Sequence, residues 1–238
     1  MKIPKTIHQI YDYPSEFPDI LSDLPKSWKR EHPTWEYYLW EHKKIQNFLS
    51  NNFSQFIPIY NSFHYNKQRW ELLRYLILYH FGGLYVDMDY ECLQPIDSLL
   101  ENHLCCLGLE PAEHADRFGK QDLIGNAMLA TVPHYPFFKQ IIEKISLTVD
   151  NRQRVGTWLI SQTTGIEMLN KVYEEYESKK DITLLLTDLI APLSAKEISL
   201  FLMGRETADM ENKVENAFAI HYFLGQWRLK SILYHLNM

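Results

Sequence analysis

Cysteine is scarce in this 238-residue chain, and its scarcity excludes two kinds of structural scaffold. There are three cysteines, and two of them, Cys105 and Cys106, are adjacent. Three cysteines do not make the paired framework of a small secreted domain, and the chain has no CxxC pair of the kind that binds zinc. Because free cysteines suit a reducing compartment, we predict a cytoplasmic protein.

Runs of basic residues and long apolar runs are also missing. The net charge is −6 and no basic run exceeds two residues, so we expect no nucleic-acid partner. The longest apolar stretch, residues 72–86, is interrupted by Arg74 and by a Gly-Gly pair, and the first residues lack the apolar core of a secretory leader. Near the end, "WRLKSILYHL" places basic residues beside an apolar stripe. That pattern is typical of a peripheral helix at the inner face of a membrane or of an ordinary packing helix.

The apolar periodicity predicts an α/β fold in a single domain, residues 1–238. Residues 2–11 and 34–40 alternate as strands do, whereas residues 66–81 are apolar nearly all round, as in a buried helix. Gly82-Gly83 then provides the residues that end such a helix. Strands and helices alternate through the first half of the chain, which favours a sheet covered by helices.

Two carboxylates, Asp87 and Asp89, stand out within "GGLYVDMDYE". If residues 84–93 form one strand, side chains two positions apart share a face, and Tyr85 lies on the same face as both acids. Their Cα atoms would then be about 7 Å apart. Two such carboxylates can share Mn²⁺ or Mg²⁺, with phosphate oxygens of a ligand completing the shell.

Other interpretations of the pair are possible. An EF-hand is excluded, because its sixth and twelfth positions need Gly and Glu but hold Cys92 and Ser98. An aspartyl-phosphate phosphatase also uses an acidic pair after an apolar strand, although Tyr90 stands where Thr or Val is usual. That alternative stays open, as does a simple pair of solvated acids.

Four segments in order carry a resemblance to a known family. They are "IPKTIHQIY" (3–11), "SWKREHPTWEYYLW" (27–40), "WELLRYLILYHFGGLYVDMDYECLQPID" (70–97) and "HYFLGQW" (221–227). Together they resemble glycosyltransferase family 32, the DXD sugar-binding region proteins that include the yeast initiating α-1,6-mannosyltransferase. The long middle segment is specific, and the order of the others strengthens it.

The resemblance implies a GT-A fold, a Rossmann-like mixed sheet with a nucleotide-sugar half (1–100) and an acceptor half with a C-terminal lid (101–238). It implies a retaining hexosyltransferase that uses a UDP- or GDP-sugar, Mn²⁺ or Mg²⁺, and a glycan or lipid-linked glycan acceptor. A short chain of this type resembles bacterial enzymes of capsule or lipopolysaccharide synthesis.

The resemblance also implies a set of site residues. The metal ligands would be Asp87, Asp89 and His221, and the catalytic group would be Asp87, Asp89, Arg74 and Glu71. The nucleotide and sugar would contact His8, Gln9, Ile10, Tyr11, Glu71, Arg74, Tyr85, Asp87, Asn126, Gly165, Gln226 and Trp227. Glu71 and Arg74 are three positions apart and share a helix face, so a buried ion pair between them is an alternative. The other implied site residues also have alternatives to a functional role. Tyr11 and Tyr85 could serve packing, Gly165 a turn, and His221 the structure alone.

Departures from the family pattern leave a second function open. Tyr11 replaces Trp, Glu71 replaces Asp, Ile166 replaces Pro and Gln226 replaces Ser. A catalytically silent sugar- or nucleotide-binding protein would also tolerate these changes. Release of nucleoside diphosphate from a nucleotide sugar distinguishes the two functions.

Overall fold

The computed structural model describes residues 2–12, 22–148 and 157–224 of the chain. Eight strands lie within them: β1 Thr6–Ile10, β2 Glu36–Trp40, β3 Gly83–Val86, β4 Tyr90–Cys92, β5 Cys105–Leu109, β6 Ile124–Thr131, β7 Ile182–Leu185 and β8 Ala219–His221. The "WRLKSILYHL" tail, with its predicted membrane contact, lies outside the described residues.

Twelve helices accompany these strands in the described residues. They are α1 Asp23–Glu31, α2 His42–Asn52, α3 Ile57–Ser62, α4 Asn66–Phe81, α5 Asp97–Leu100, α6 Ala112–Arg117, α7 Pro136–Thr148, α8 Thr157–Thr163, α9 Ile166–Glu175, α10 Thr187–Ile190, α11 Ala195–Leu202 and α12 Ala208–Glu215. The sequence patterns predict none of the helices α5, α6, α8, α10 and α12. None of the described helices is long and apolar enough to cross a bilayer.

Six strands form a mixed central sheet in the order β2-β1-β3-β6-β5-β7. β1 is parallel to β2 and to β3, whereas β6 is antiparallel to both β3 and β5, and β7 is parallel to β5. Strands β1, β3, β5 and β7 therefore end at the same edge of the sheet. The predicted α/β sheet flanked by helices is confirmed.

Helices cover both faces of this sheet. One face packs with α2, α4, α7 and α9 through residues such as Phe48, Leu76, Phe137 and Leu169. The other face packs with α1, α5, α10 and β8 through Trp28, Leu100, Ile190 and Ala219. Burial of these apolar side chains is the main force that fixes the helices on the sheet.

Helix α4 spans the 16 residues that its apolar pattern predicts, and most of its length is buried. Gly82 and Gly83 follow it with φ angles of +66° and +89°, which side chains with a Cβ rarely adopt. A Cβ on Gly83 would come within 2.6 Å of the Thr6 carbonyl oxygen. The Gly-Gly pair thus lets the chain leave the buried helix and enter β3 at the centre of the sheet.

Candidate active site

The two acids Asp87 and Asp89 lie in a turn, not in a continuous strand. Strand β3 ends at Val86 and β4 begins at Tyr90, so the predicted strand over residues 84–93 is wrong. The Asp87 N–H donates to the Ala127 carbonyl at 2.9 Å, and the Tyr90 N–H donates to the Asp87 carbonyl at 3.2 Å. Aspartates favour such turns because their short side chains tolerate irregular backbone. The turn sits where β3 leaves the sheet.

His221 joins these acids because β8 pairs with β4 in a second, two-stranded sheet. The register places His221 opposite Tyr90, and the two rings stack with centroids 4.3 Å apart. His221 Nε2 lies 3.3 Å from Asp89 Oδ1. One ligand atom each from Asp87, Asp89 and His221 lies within 4.8 Å of the others. The structure therefore brings the three predicted metal ligands together.

Asp89 is half-buried and His221 is buried, and each shifts the pKa of the other. Burial opposes ionisation of Asp89, yet the attraction of His221 and hydrogen bonds from His221 and the Leu224 N–H lower its pKa overall. Burial likewise opposes the charge on His221, but Asp89, followed by Glu110 and Asp87, raises its pKa. The Leu224 N–H donates to Asp89 Oδ2 at 2.7 Å. A negatively charged Asp89 is thus the stable form.

This donor set fits a divalent cation. Two carboxylates and one imidazole are ligands that Mn²⁺ accepts, and Mg²⁺ also binds through one or two carboxylates. Within the described residues, the buried Nδ1 of His221 has no hydrogen-bond partner. The other nitrogen, Nε2, lies 3.3 Å from Asp89 Oδ1 and would be the ligand atom of His221 toward a cation.

Arg74 connects helix α4 to the Asp87 turn. Its Nη1 lies 3.2 Å from Asp87 Oδ1 and also donates to the Asn126 carbonyl. Its guanidinium lies 4.7 Å from the centre of the Tyr85 ring, and the Tyr85 hydroxyl donates to Asp87 Oδ1 at 2.6 Å. Burial opposes the charge of Arg74, but Asp87 and other neighbours raise its pKa overall. In the described part of the chain, the buried Arg74 Nε has no hydrogen-bond partner.

Glu71 occupies a buried polar pocket beside Arg74. Thr164 Oγ1 donates to Glu71 Oε2 at 2.6 Å, and Asn126 Nδ2 lies 3.4 Å from Oε1. Burial raises the pKa of Glu71. Among the described ion pairs, Arg74 pairs with Asp87 and none joins it to Glu71. Gly165 lies against this carboxylate, since a Cβ there would be 3.2 Å from Glu71 Oε1. Its φ of −94° shows that close approach, not a left-handed turn, explains the glycine.

The residues at the end of β1 lie mainly inside the protein. His8 is 1% exposed, accepts from Trp40 Nε1 at 3.2 Å and donates to the Gly82 carbonyl at 3.1 Å. Burial lowers its pKa to about 4, which indicates a neutral ring. Gln9 donates to the Asp87 carbonyl at 3.2 Å and so supports the acidic turn. A contact of these residues with the nucleotide stays a prediction.

Two more residues complete the account of the predicted site. Ile10 is buried in the core, and the Tyr11 N–H donates to the Trp40 carbonyl at 3.0 Å just beyond β1. The predicted lid residues Gln226 and Trp227 lie outside the described residues.

Sequence reasoning missed three contributors to this region. Thr164, which the family resemblance includes beside Gly165 but to which it gives no role, hydrogen-bonds Glu71. The backbone N–H of Leu224 caps Asp89. Glu110, at the end of β5, influences the charge of His221. Glu110 could have been noticed because it follows a strand. Its nearness to the site, however, depends on the order of the strands in the sheet, which the sequence does not give.

The chain is similar in sequence to several known proteins. Residues 18–105 match the family described as "Glycosyltransferase sugar-binding region containing DXD motif". Inositol phosphoceramide mannosyltransferase 1 of Schizosaccharomyces pombe is 36% identical over 149 residues, which cover 61% of this chain and 43% of that protein. Inositol phosphoceramide mannosyltransferase 2 of the same yeast is 30% identical over 186 residues, covering 74% and 47%. The chain therefore spans less than half the length of these relatives.

A solved structure supports the fold. The PaToxG glycosyltransferase aligns with a TM-score of 0.59 and 15% identity, covering 91% of this chain and 85% of that one. Such low identity bears on the fold alone. The GT-A fold that the sequence resemblance implies is confirmed.

Proposed function

Because the chain belongs to the family of glycosyltransferases with a DXD sugar-binding region, we propose that it transfers a hexose from a nucleotide-sugar donor to a hydroxyl group of a glycan or glycolipid. One observation carries the proposal: ligand atoms of Asp87, Asp89 and His221 converge to within 4.8 Å of one another. The proposed domain is the whole chain, with residues 1–100 binding the donor and residues 101–238 contributing acceptor contacts and the lid.

The names of the relatives point to mannose as the transferred hexose. Two of them are named as mannosyltransferases that act on inositol phosphoceramide. By analogy with those names, the proposed donor of this chain is a GDP- or UDP-activated mannose. The proposed acceptor is a lipid that carries phosphoinositol. Both relatives are fungal, so the bacterial capsule or lipopolysaccharide context rests on the sequence resemblance alone. The proposed cytoplasmic, peripheral location rests on the free cysteines and on the pattern of the tail.

Asp87, Asp89 and His221 would hold Mn²⁺ or Mg²⁺. When bound, such an ion would neutralise charge on the departing nucleoside diphosphate. Arg74 adds a fixed positive charge beside Asp87, with its Nε–H uncommitted among the described residues. In a buried site, a positioned cationic donor stabilises developing negative charge without further reorganisation.

The pocket around Glu71 supplies the polar contacts expected for the donor sugar. Glu71, Thr164 and Asn126 already form a hydrogen-bonded group at 2.6 and 3.4 Å. Buried groups that hydrogen-bond a hydroxyl discriminate strongly against ligands that lack it. Glu71 with Arg74 would thus fix the sugar next to the diphosphate, and Gly165 would leave room for it. Gln226 and Trp227 would close over the diphosphate.

The proposed reaction retains the anomeric configuration. The bond between the sugar C1 and the diphosphate oxygen breaks, and the acceptor oxygen forms a bond to C1 on the same face. The acceptor proton passes to the departing phosphate oxygen, so no general base is assigned. This reaction needs neither a carboxylate nucleophile of the protein nor a second displacement at C1.

A donor screen tests the proposal. The chain is incubated with Mn²⁺ and GDP-mannose, UDP-glucose, UDP-galactose or UDP-N-acetylglucosamine, and the released nucleoside diphosphate is measured. We expect release from one donor, with GDP-mannose favoured, and loss of release when Mn²⁺ is chelated. Binding of a donor without any release would support the silent binding protein instead.

Two substitutions sharpen this screen. Asp87→Asn and Asp89→Asn keep the side-chain shape but remove the charge, so we expect release to fall about 100-fold or more. The matched control is Asp188→Asn, since Asp188 lies exposed on α10. Circular dichroism confirms that each variant is folded. Full activity in the Asp87 and Asp89 variants would refute the assignment.

A further inference from the structure

A third acid, Glu110, lies at the same edge of the sheet as the Asp87 turn. β3 and β5 are both antiparallel to β6, so they end at the same edge. Asp87 follows β3 and Glu110 follows β5, with β6 between them. Two strand spacings put the two residues about 10 Å apart. Ligands of open α/β sheets bind outside the carboxyl ends of the strands, which is where Glu110 lies.

The Glu110 carboxylate is held in place by His114. His114 Nδ1 lies 2.8 Å from Glu110 Oε2, and the Ala195 N–H donates to His114 Nε2 at 3.2 Å. Because Nε2 accepts that hydrogen bond, the ring carries its proton on Nδ1 and donates it to Glu110. Strand β5 and helix α6 thus bring together an acid and the group that orients it.

The other carboxylate oxygen, Oε1, lies against Gly125. A Cβ at Gly125 would overlap the Glu110 carboxylate, so the glycine makes the room that this side chain occupies. The Glu110 side chain is 13% exposed, which leaves it accessible from the edge of the sheet. Next along β6, Asn126 contacts Glu71 and Arg74. Glu110 therefore meets β6 at Gly125, whereas the proposed sugar pocket meets it at Asn126.

Phe223 connects this acid–histidine pair to the metal ligands. Its ring centre lies 3.9 Å from that of His221 and 4.7 Å from that of His114. The pair therefore borders the candidate active site, on the side formed by β8 and the start of α11. That side belongs to the second half of the chain.

Building on the proposed function, we propose that Glu110 binds a hydroxyl group of the acceptor, with His114 as its positioning residue. An ionised carboxylate is a strong acceptor for a hydroxyl proton, and His114 leaves Oε1 for that contact. The acceptor is a sugar or polyol, because the contact needs an O–H donor. The donor sugar is not the source of this hydroxyl, since its proposed partners are Glu71, Thr164 and Asn126. None of the hydrogen bonds described for these three residues reaches Glu110.

Glu110→Gln tests this role, because the amide keeps the shape but loses the charge. The donor found in the screen is used, with methyl α-mannoside and with detergent-dispersed inositol phosphoceramide as acceptor probes. Loss of one charge-assisted hydrogen bond lowers kcat/KM for the acceptor by about 10- to 100-fold. The fall in kcat/KM for the acceptor should exceed any change in donor KM or in release of nucleoside diphosphate without acceptor. The matched control is Glu113→Gln, because Glu113 is an exposed acid three residues after Glu110, in helix α6.

His114→Phe tests the positioning role. The substitution keeps an aromatic ring beside Phe223 but removes the Nδ1–H, so the acceptor KM should rise while the donor KM does not. If the role of His114 were purely structural, the KM for the acceptor and the KM for the donor would change together.

Unchanged acceptor kinetics in Glu110→Gln, or equal losses in transfer and in acceptor-free release, would overturn the inference. So would a wild-type chain that releases nucleoside diphosphate but is stimulated by neither probe. No release from any donor in the wild type would instead refute the proposed function itself, and the inference with it.

Discussion

Replacement of His8 by Gln should make the stability of the protein less sensitive to acid. The folded protein holds the His8 pKa at about 4 because the ring is buried between Trp40 and the Gly82 carbonyl, whereas the ordinary pKa of histidine is 6.5. Below pH 6.5 the unfolded chain therefore binds a proton that the folded chain excludes. Stability from this group is complete above pH 6.5 and is lost as the pH falls toward 4.

The size of this effect follows from the two pKa values. Between pH 7 and pH 5 the linkage relation gives a loss of about 2 kcal/mol of unfolding free energy from His8 alone. Gln can accept from Trp40 and donate to Gly82 but does not titrate in this range. Wild type should thus lose about 2 kcal/mol more than His8→Gln over the same interval.

Urea unfolding at pH 7 and pH 5 measures this difference. Other histidines are present in both proteins, so subtracting the two pH dependences isolates His8. Ile10→Val is the matched control, because it removes a methylene from the same strand and lowers stability while it keeps His8. Its pH dependence should equal that of wild type. Identical pH dependences for wild type and His8→Gln would refute the buried neutral histidine, and a large rise in donor KM would instead favour the predicted nucleotide contact.

Three further substitutions test other parts of the structure. Arg74→Lys loses the fork that contacts Asp87 and the Asn126 carbonyl, so nucleoside diphosphate release should fall about 10-fold or more; unchanged release would contradict this role. Thr164→Val removes the hydroxyl that bonds Glu71 and should cost about 1–3 kcal/mol in urea unfolding, and a neutral result would argue against that bond. Gly83→Ala should destabilise more than Gly204→Ala in thermal unfolding. Both glycines have positive φ, but only a Cβ at Gly83 meets backbone, at 2.6 Å from the Thr6 carbonyl oxygen.

Local sequence patterns were sufficient to predict the helices and strands that have a regular pattern of burial. The apolar run over residues 66–81 and the glycines after it predict α4 and its end, because a helix buried on most sides needs little information beyond its own composition. The alternation around Thr6–Ile10 likewise predicts β1. The order of family-like segments then pointed to Asp87, Asp89 and His221, which the structure brings together.

The turn at Asp87–Asp89 shows where local patterns fail. Alternation alone suggests that a strand continues through both acids, but the Ala127 carbonyl and strand β8 decide where the chain bends. Glu110 escaped notice for a related reason. Its position beside the site depends on β5 ending at the same edge as β3, and strand order is a property of the whole sheet.

The small sheet of β4 and β8 determines when in folding the candidate metal site can exist. Asp89 and the Leu224 N–H that caps it are 135 positions apart in the chain. A nascent chain that has reached α9 already holds five of the six strands of the central sheet, but only two of the three ligands. Joining such distant segments is entropically costly and comes late. Cation affinity would therefore report that β8 has been made and has docked. Chains that end before β8 would lack the third ligand even if their sheet had formed.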